Sequence, residues 1–145
     1  MALEVPAQIL SRIHAHGESV YPEEGAGFLL GSDGDPRRVS DILPLPNTFD
    51  VELRRRRYLI TPEAYGQAED TAEGLGLSLI GVFHSHPDHP SRPSETDREW
   101  AQPFFSYIIT SVEQGRTVES RSWRLAEDRS GFLEEELWVI PWGRP

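Results

Sequence analysis

Two imidazoles and a carboxylate stand in this chain at a spacing that makes a tripod for one divalent metal. They are His84 and His86 in His84-Ser85-His86-Pro87, and Asp97, which follows Ser94 in a segment that begins eight residues after His86. The apolar run before them, Leu77-Ser78-Leu79-Ile80-Gly81-Val82-Phe83, has strand character. A strand delivers His84 and His86 with both rings on one face and Ser85 on the other. Their α-carbons then lie about 6.5 to 7 Å apart, a gap that two rings can close onto a zinc about 2.0 to 2.1 Å from each nitrogen. Asp97 supplies the third, oxygen ligand. Three protein ligands leave a fourth tetrahedral position for water, which marks a catalytic zinc, whereas a structural zinc is closed by four. One Zn2+ per chain is the cofactor this pattern predicts.

Simpler readings of the same residues exist. Ser94-Glu95-Thr96-Asp97 is a capping-box pattern that could do no more than start a helix, and alternating histidines can end a strand without holding anything. The two readings support each other, because a helix begun at Ser94 places Asp97 in its first turn, on the side of Ser94. His89 is a competing third ligand in a three-histidine site. It sits in Asp88-His89-Pro90-Ser91-Arg92-Pro93, where recurring prolines favour a stiff, extended loop that carries side chains away from the strand end.

The elements that must position these groups follow from periodicity and punctuation. Val5, Ile9 and Ile13 repeat every four residues and predict a helix from about Pro6 to His16. Strands are expected at Gly27 to Leu30, Val39 to Leu43 and Tyr58 to Ile60. Thr61-Pro62 is a good cap and first-turn pair for a second helix that stops at Gly74 or Gly76. Leu77 to His84 is the strand that delivers the histidines, and its nearly unbroken apolar character predicts burial on both faces. Ser94 opens a short helix limited by Pro103. Strands at Ser106 to Val112, Ser120 to Leu125 and Gly131 to Ile140 complete the chain, although Glu134-Glu135-Glu136 would suit a helix equally well. The sum is an α+β domain with a central mixed sheet.

Composition bounds the rest. The chain has 145 residues, enough for one domain over 1–145 with a real core. A formal net charge of −10 opposes nonspecific binding to nucleic acid or an anionic membrane. Arg54-Arg55-Arg56-Arg57 is the local exception. It reads either as a solvated loop end that keeps a sheet edge soluble or as a rim that attracts an acidic partner or a carboxylate. With no cysteine, the chain can form no disulfide, use no thiol nucleophile and hold no metal by thiolate. The N-terminus lacks the basic and apolar regions of a signal peptide, and no run is long enough for a membrane span, so a cytoplasmic location is expected.

The pattern His-Ser-His-Pro, seven residues, Ser, two residues, Asp resembles the motif of the JAMM (MPN-plus) zinc metalloprotease family. In that family a glutamate lies upstream, just before a short apolar strand rich in small residues. This chain has Tyr21-Pro22-Glu23-Glu24-Gly25-Ala26-Gly27-Phe28-Leu29-Leu30-Gly31, whose register makes Glu24 the family glutamate and Glu23 the alternative. The resemblance extends to Arg57-Tyr58-Leu59-Ile60-Thr61-Pro62 and to Ser106-Tyr107-Ile108-Ile109-Thr110-Ser111-Val112, and is nearest to compact, single-domain bacterial members. It implies a curved mixed sheet flanked by helices, of cytidine-deaminase-like architecture.

The resemblance further implies amide hydrolysis at the C-terminal Gly-Gly of a ubiquitin-like, β-grasp sulfur-carrier protein or its C-terminal adduct, with Glu24 as general base. Neither nucleic acid nor membrane is expected as a partner, and a homodimer is left open. Ser94 carries an uncharged hydroxyl donor suited to stabilising an oxyanion. Ser85 points away from the metal, so it is no nucleophile and belongs among the groups that tie down the ligand strand. Trp100, Trp123, Trp138 and Trp142 suit a core or interface better than a substrate platform. Gly25, Ala26 and Gly27 are small either for close strand packing or to admit a narrow diglycine tail. A zinc amidase acting on a small metabolite and a non-catalytic scaffold of the same fold are the alternatives.

Overall fold

A computed structural model describes residues 1–45 and 60–141. The expected strand at Tyr58 to Ile60, the Arg54 to Arg57 run and Trp142 lie outside these residues. Ile60 alone is described, and it is buried but belongs to no strand.

The elements are β1 (Ala2–Pro6), α1 (Ala7–Val20), β2 (Ala26–Ser32), β3 (Arg37–Leu45), α2 (Pro62–Gly74), β4 (Ser78–Pro87), α3 (Glu95–Trp100), β5 (Ser106–Glu113), β6 (Arg116–Leu125) and β7 (Phe132–Ile140). The α+β expectation and the mixed sheet hold. The sheet is more than curved, however: it closes into a barrel in the order β1-β3-β2-β4-β5-β6-β7. Closure comes from β1, which lies parallel to both β3 and β7 and pairs Ala2 through Pro6 with Glu136 through Ile140. A strand at the very start of the chain was not expected. Val5, read as the first member of a helical repeat, sits in that strand, and the helix itself runs from Ala7 to Val20. Pairing on both edges buries all five residues of β1, and this tertiary burial overrides the helical spacing. The last segment is a strand throughout. Its Glu135 is buried and accepts hydrogen bonds from Ser122 Oγ and Arg124 Nε, each at 2.7 Å.

Helix α1 packs against β1 and against every strand from β3 to β7, so it covers one face of the sheet. Beneath it Ile9 and Ile13 join Leu3, Val5, Leu29, Val39, Ile42, Ile80, Phe83 and Ile108. Burying such side chains contributes roughly 1.5 to 3 kcal/mol each. Helix α2 covers the opposite face, where Ala68 and Ala72 meet Phe28, Leu30, Val82 and Tyr107. It starts as expected, with Thr61 accepting the Ala64 N–H at 3.1 Å and Pro62 in the first turn, and it ends at Gly74. No helix among the described residues is long and apolar enough to cross a membrane.

One irregularity in β4 aims the site. Leu29 pairs with Gly81 but Leu30 with Leu79, so Ile80 is an extra residue. Such a bulge reverses the alternation of side chains beyond it. Leu79 packs on the α2 side and Ile80 on the α1 side, yet Val82 is back on the α2 side and Phe83 on the α1 side. His84 and His86 share the parity of Val82. Without the extra residue they would point towards α1.

Candidate metal centre

Strand β4 runs between β2 and β5, pairing His84 with Ala26 and Ile109, and His86 with Ser111. Both imidazoles are buried, with ring centroids 5.0 Å apart. His86 Nδ1 lies 2.8 Å from the carbonyl oxygen of Pro90. A carbonyl can only accept, so Nδ1 carries a proton and Nε2 is the nitrogen left to face a ligand. That nitrogen faces Asp97, whose Oδ2 is 3.1 Å from His86 Nε2 and whose Oδ1 is 3.6 Å from His84 Nε2.

Asp97 reaches this position because it begins α3. The Ser94 hydroxyl accepts the Asp97 N–H at 3.1 Å, and Asp97 Oδ2 accepts the Ser94 N–H at 2.8 Å. The capping box is thus complete, and the carboxylate that closes it is also the one turned to the histidines. Capping and facing the histidines are compatible because Asp97 uses both oxygens and several lone pairs.

Glu24 lies in the turn before β2 and is buried, whereas Glu23 is half-buried. Glu24 Oε1 is 3.9 Å from His84 Nδ1, so Glu24 and Asp97 flank the same ring from its two nitrogens. Glu24, His84 and His86 each offer one ligand atom within 4.8 Å of the others. The Glu24 segment is tied to the histidine strand by Ser85. Its hydroxyl accepts the Gly25 N–H at 2.8 Å, and its own N–H donates to the Gly25 carbonyl at 3.0 Å.

The electrostatics suit a cation. Burial pushes His84 down to about 4, against an upward pull from Asp97, so the ring is neutral at pH 7, the form that ligates metals. Burial raises Asp97, but His84, His86 and the Ser94 N–H outweigh it and hold the group well below the usual carboxylate range. His86 Nε2 and a carboxylate oxygen of Asp97 therefore converge at 3.1 Å, close enough to share a proton or a cation. Ligands about 2.0 to 2.2 Å from a tetrahedral zinc are about 3.3 to 3.5 Å from one another, and the separations of 3.1 and 3.6 Å bracket that spacing. These residues fit a divalent metal.

A cleft of about 610 Å³ opens beside this group, lined by Glu24, His86, His89, Arg92, Ser94 and Thr96 among others. Ser94 is exposed on it. The His89 side chain is exposed at the rim and does not join the group formed by Glu24, His84 and His86. Its backbone is held instead, the carbonyl accepting from Ser111 Oγ at 2.6 Å.

Sequence reasoning missed the Pro90 carbonyl that orients His86, and the Gly25 peptide that Ser85 holds, because backbone groups leave no residue-type signal. The smallness of Gly27 is explained by packing: a Cβ there would overlap the Phe83 ring and the Leu43 carbonyl. Trp123 donates to the Ser91 carbonyl at 3.0 Å and braces the loop after the histidines, while Trp100 and Trp138 are exposed.

The family model described as prokaryotic homologs of the JAB domain matches residues 6–126. A protein from Thermus thermophilus named "Probable TtuB-protein conjugate cleaving protease" is 36% identical over 113 residues, covering 78% of this chain and 72% of its own. The "Desampylase" of Haloferax volcanii is 33% identical over 119 residues, covering 81% of this chain and 84% of its own. Among solved structures, a protein from Desulfitobacterium hafniense superposes with a TM-score of 0.81 at 30% identity, covering 95% of this chain and 92% of that one.

Proposed function

Because the chain belongs to the prokaryotic JAB-domain family, we propose that it is a zinc-dependent peptidase or isopeptidase that cuts the amide bond after the C-terminal Gly-Gly of a ubiquitin-like β-grasp protein. The observation that carries this reading is Asp97 turned to both His84 and His86, with Glu24 on the far nitrogen of His84, at the side of an open cleft. The relatives named for cleaving TtuB conjugates and for desampylation support the substrate class.

His84, His86 and Asp97 would hold the zinc, which when bound supplies Lewis acidity towards water and the scissile carbonyl. Glu24 takes a proton on an Oε atom from the attacking water and passes it to the departing amine nitrogen, so the C–O bond forms and the C–N bond breaks with no net proton change. The Ser94 hydroxyl accepts from Asp97 N–H and keeps its own proton to donate towards the developing oxyanion in the cleft. An extended tail could bind by backbone hydrogen bonds, and a glycine pair approaches where side chains could not.

The test is incubation with β-grasp carriers bearing a C-terminal extension, with and without chelator, and weighing of the products by mass spectrometry. Cleavage after the second glycine that stops with chelator is the expected result. Intact carriers together with hydrolysis of a small amide by the same preparation would assign the site to a metabolite amidase.

A further inference from the structure

We propose that Ser85, the residue between the two histidines, is a positioning residue for Glu24: it clamps the Gly25 peptide and so fixes the carboxylate against His84. This inference rests on the reading of Glu24 as general base. Ser85 is 3% exposed and projects to the α1 face, opposite the histidines. It meets both backbone groups of Gly25, accepting the Gly25 N–H on Oγ at 2.8 Å and donating its own N–H to the Gly25 carbonyl at 3.0 Å. The first of these bonds depends on the side chain alone. The second is a backbone bond that any residue would make.

The surroundings show that space is reserved for this clamp. A Cβ on Gly17 of α1 would come within 3.1 Å of Ser85 Cβ and 3.3 Å of Val112 Cγ2, so the helix packs closely on Ser85 at this glycine. A Cβ on Gly25 would come within 2.9 Å of Val20 Cγ2 and 3.0 Å of His16 Cδ2. Gly25 is therefore pressed between the end of α1 on one side and Ser85 on the other. Glu24 is the residue attached to it, in a turn that also receives the Glu23 N–H on the Val20 carbonyl at 2.9 Å. With the N–H and the carbonyl of Gly25 both held, the Glu24 backbone has little freedom to swing away from His84. The same strand thus carries two histidines on one face and, on the other, the hydroxyl that sets the distance between them and their acidic neighbour.

The experiment uses Ser85→Ala and Ser85→Thr in the metal-loaded chain and reads four quantities: metal content, kcat, KM and hydrogen exchange of the Gly25 amide by NMR. Ser85→Ala is expected to keep its metal, to lose about 10- to 100-fold in kcat with KM within about twofold, as expected of a misplaced reacting group, and to exchange the Gly25 amide at least about tenfold faster. Ser85→Thr keeps a hydroxyl on the same carbon but adds a methyl where Gly17 lies close, so kcat should recover only as far as the slow Gly25 exchange does. If Ser85→Ala exchanges faster but keeps full kcat, or if it loses its metal, Ser85 does not act through Glu24 and the proposal is wrong. Should the parent protein cleave no β-grasp carrier, the functional reading fails separately. The clamp is then judged on the Gly25 exchange rate and on the Glu24 carboxyl carbon shift, both of which must move in Ser85→Ala for the inference to stand.

Discussion

Asp97 Oδ2 stands 3.1 Å from His86 Nε2, while the other ring nitrogen of His86 donates to the Pro90 carbonyl. A ring nitrogen and a carboxylate oxygen at that distance hold a proton or a cation between them. With His84 Nε2 3.6 Å from the other oxygen of the same carboxylate, a metal satisfies all three groups at once.

Asp97→Ala should therefore weaken zinc binding by at least about 100-fold, since it removes a ligand and the charge that balances the ion. Competition with a chromophoric chelator measures this. A His84→Ala, Asp97→Ala double variant that still carried a full equivalent of zinc by elemental analysis would end the tripod.

Glu24→Gln should keep the metal and the fold but lose turnover by about 10²- to 10⁴-fold, because the amide preserves shape and cannot take a proton. Glu23 is half-buried and one residue earlier in the turn, so Glu23→Gln should be nearly silent. The reverse pattern in metal-replete protein would place the base one residue earlier.

Ser94→Ala separates two roles. Loss of the cap of α3 should cost about 1 kcal/mol in urea unfolding, and loss of the hydroxyl donor should lower kcat by about 10²-fold or more. Reduced stability with undiminished kcat would leave Ser94 as a cap alone.

The metal-free protein should lose stability on mild acidification. His84 is pushed from 6.5 to about 4 by burial, so between those values the unfolded chain binds a proton that the folded chain refuses, and stability rises with pH across that window. The span is worth on the order of 3 kcal/mol between pH 7 and pH 4. Asp97 acts in the same direction at lower pH, since its depressed value favours the fold only while it is ionised. Denaturant midpoints of chelator-treated protein measured from pH 7 to pH 4 should fall steadily, and a flat profile would show that His84 protonates freely in the fold.

Much of the centre is legible in the chain because local geometry dictates it. The alternation of His84, Ser85 and His86 is a property of any strand, and Ser94 with Asp97 three residues on is a property of any helix start, so spacing alone groups these residues. Thr61-Pro62 announces α2 for the same reason. The final strand is ambiguous in the chain because three glutamates favour solvent on a helix, and only Ser122 and Arg124 supply the partners that let Glu135 be buried in a sheet.

The sequence by itself determined which side chains could gather, since residue type and spacing are written in the chain. Which way they face was decided elsewhere. The extra residue at Ile80 turns the histidines to the α2 side, the pairing of β1 with β7 closes the barrel, and the Pro90 carbonyl and Gly25 peptide orient His86 and Glu24. Each of these engages a backbone group or a register between strands, and all but the His86–Pro90 contact join segments distant in the chain. Such contacts depend on the position of every neighbouring element and carry almost no signature in residue type, so only the tertiary structure could set them.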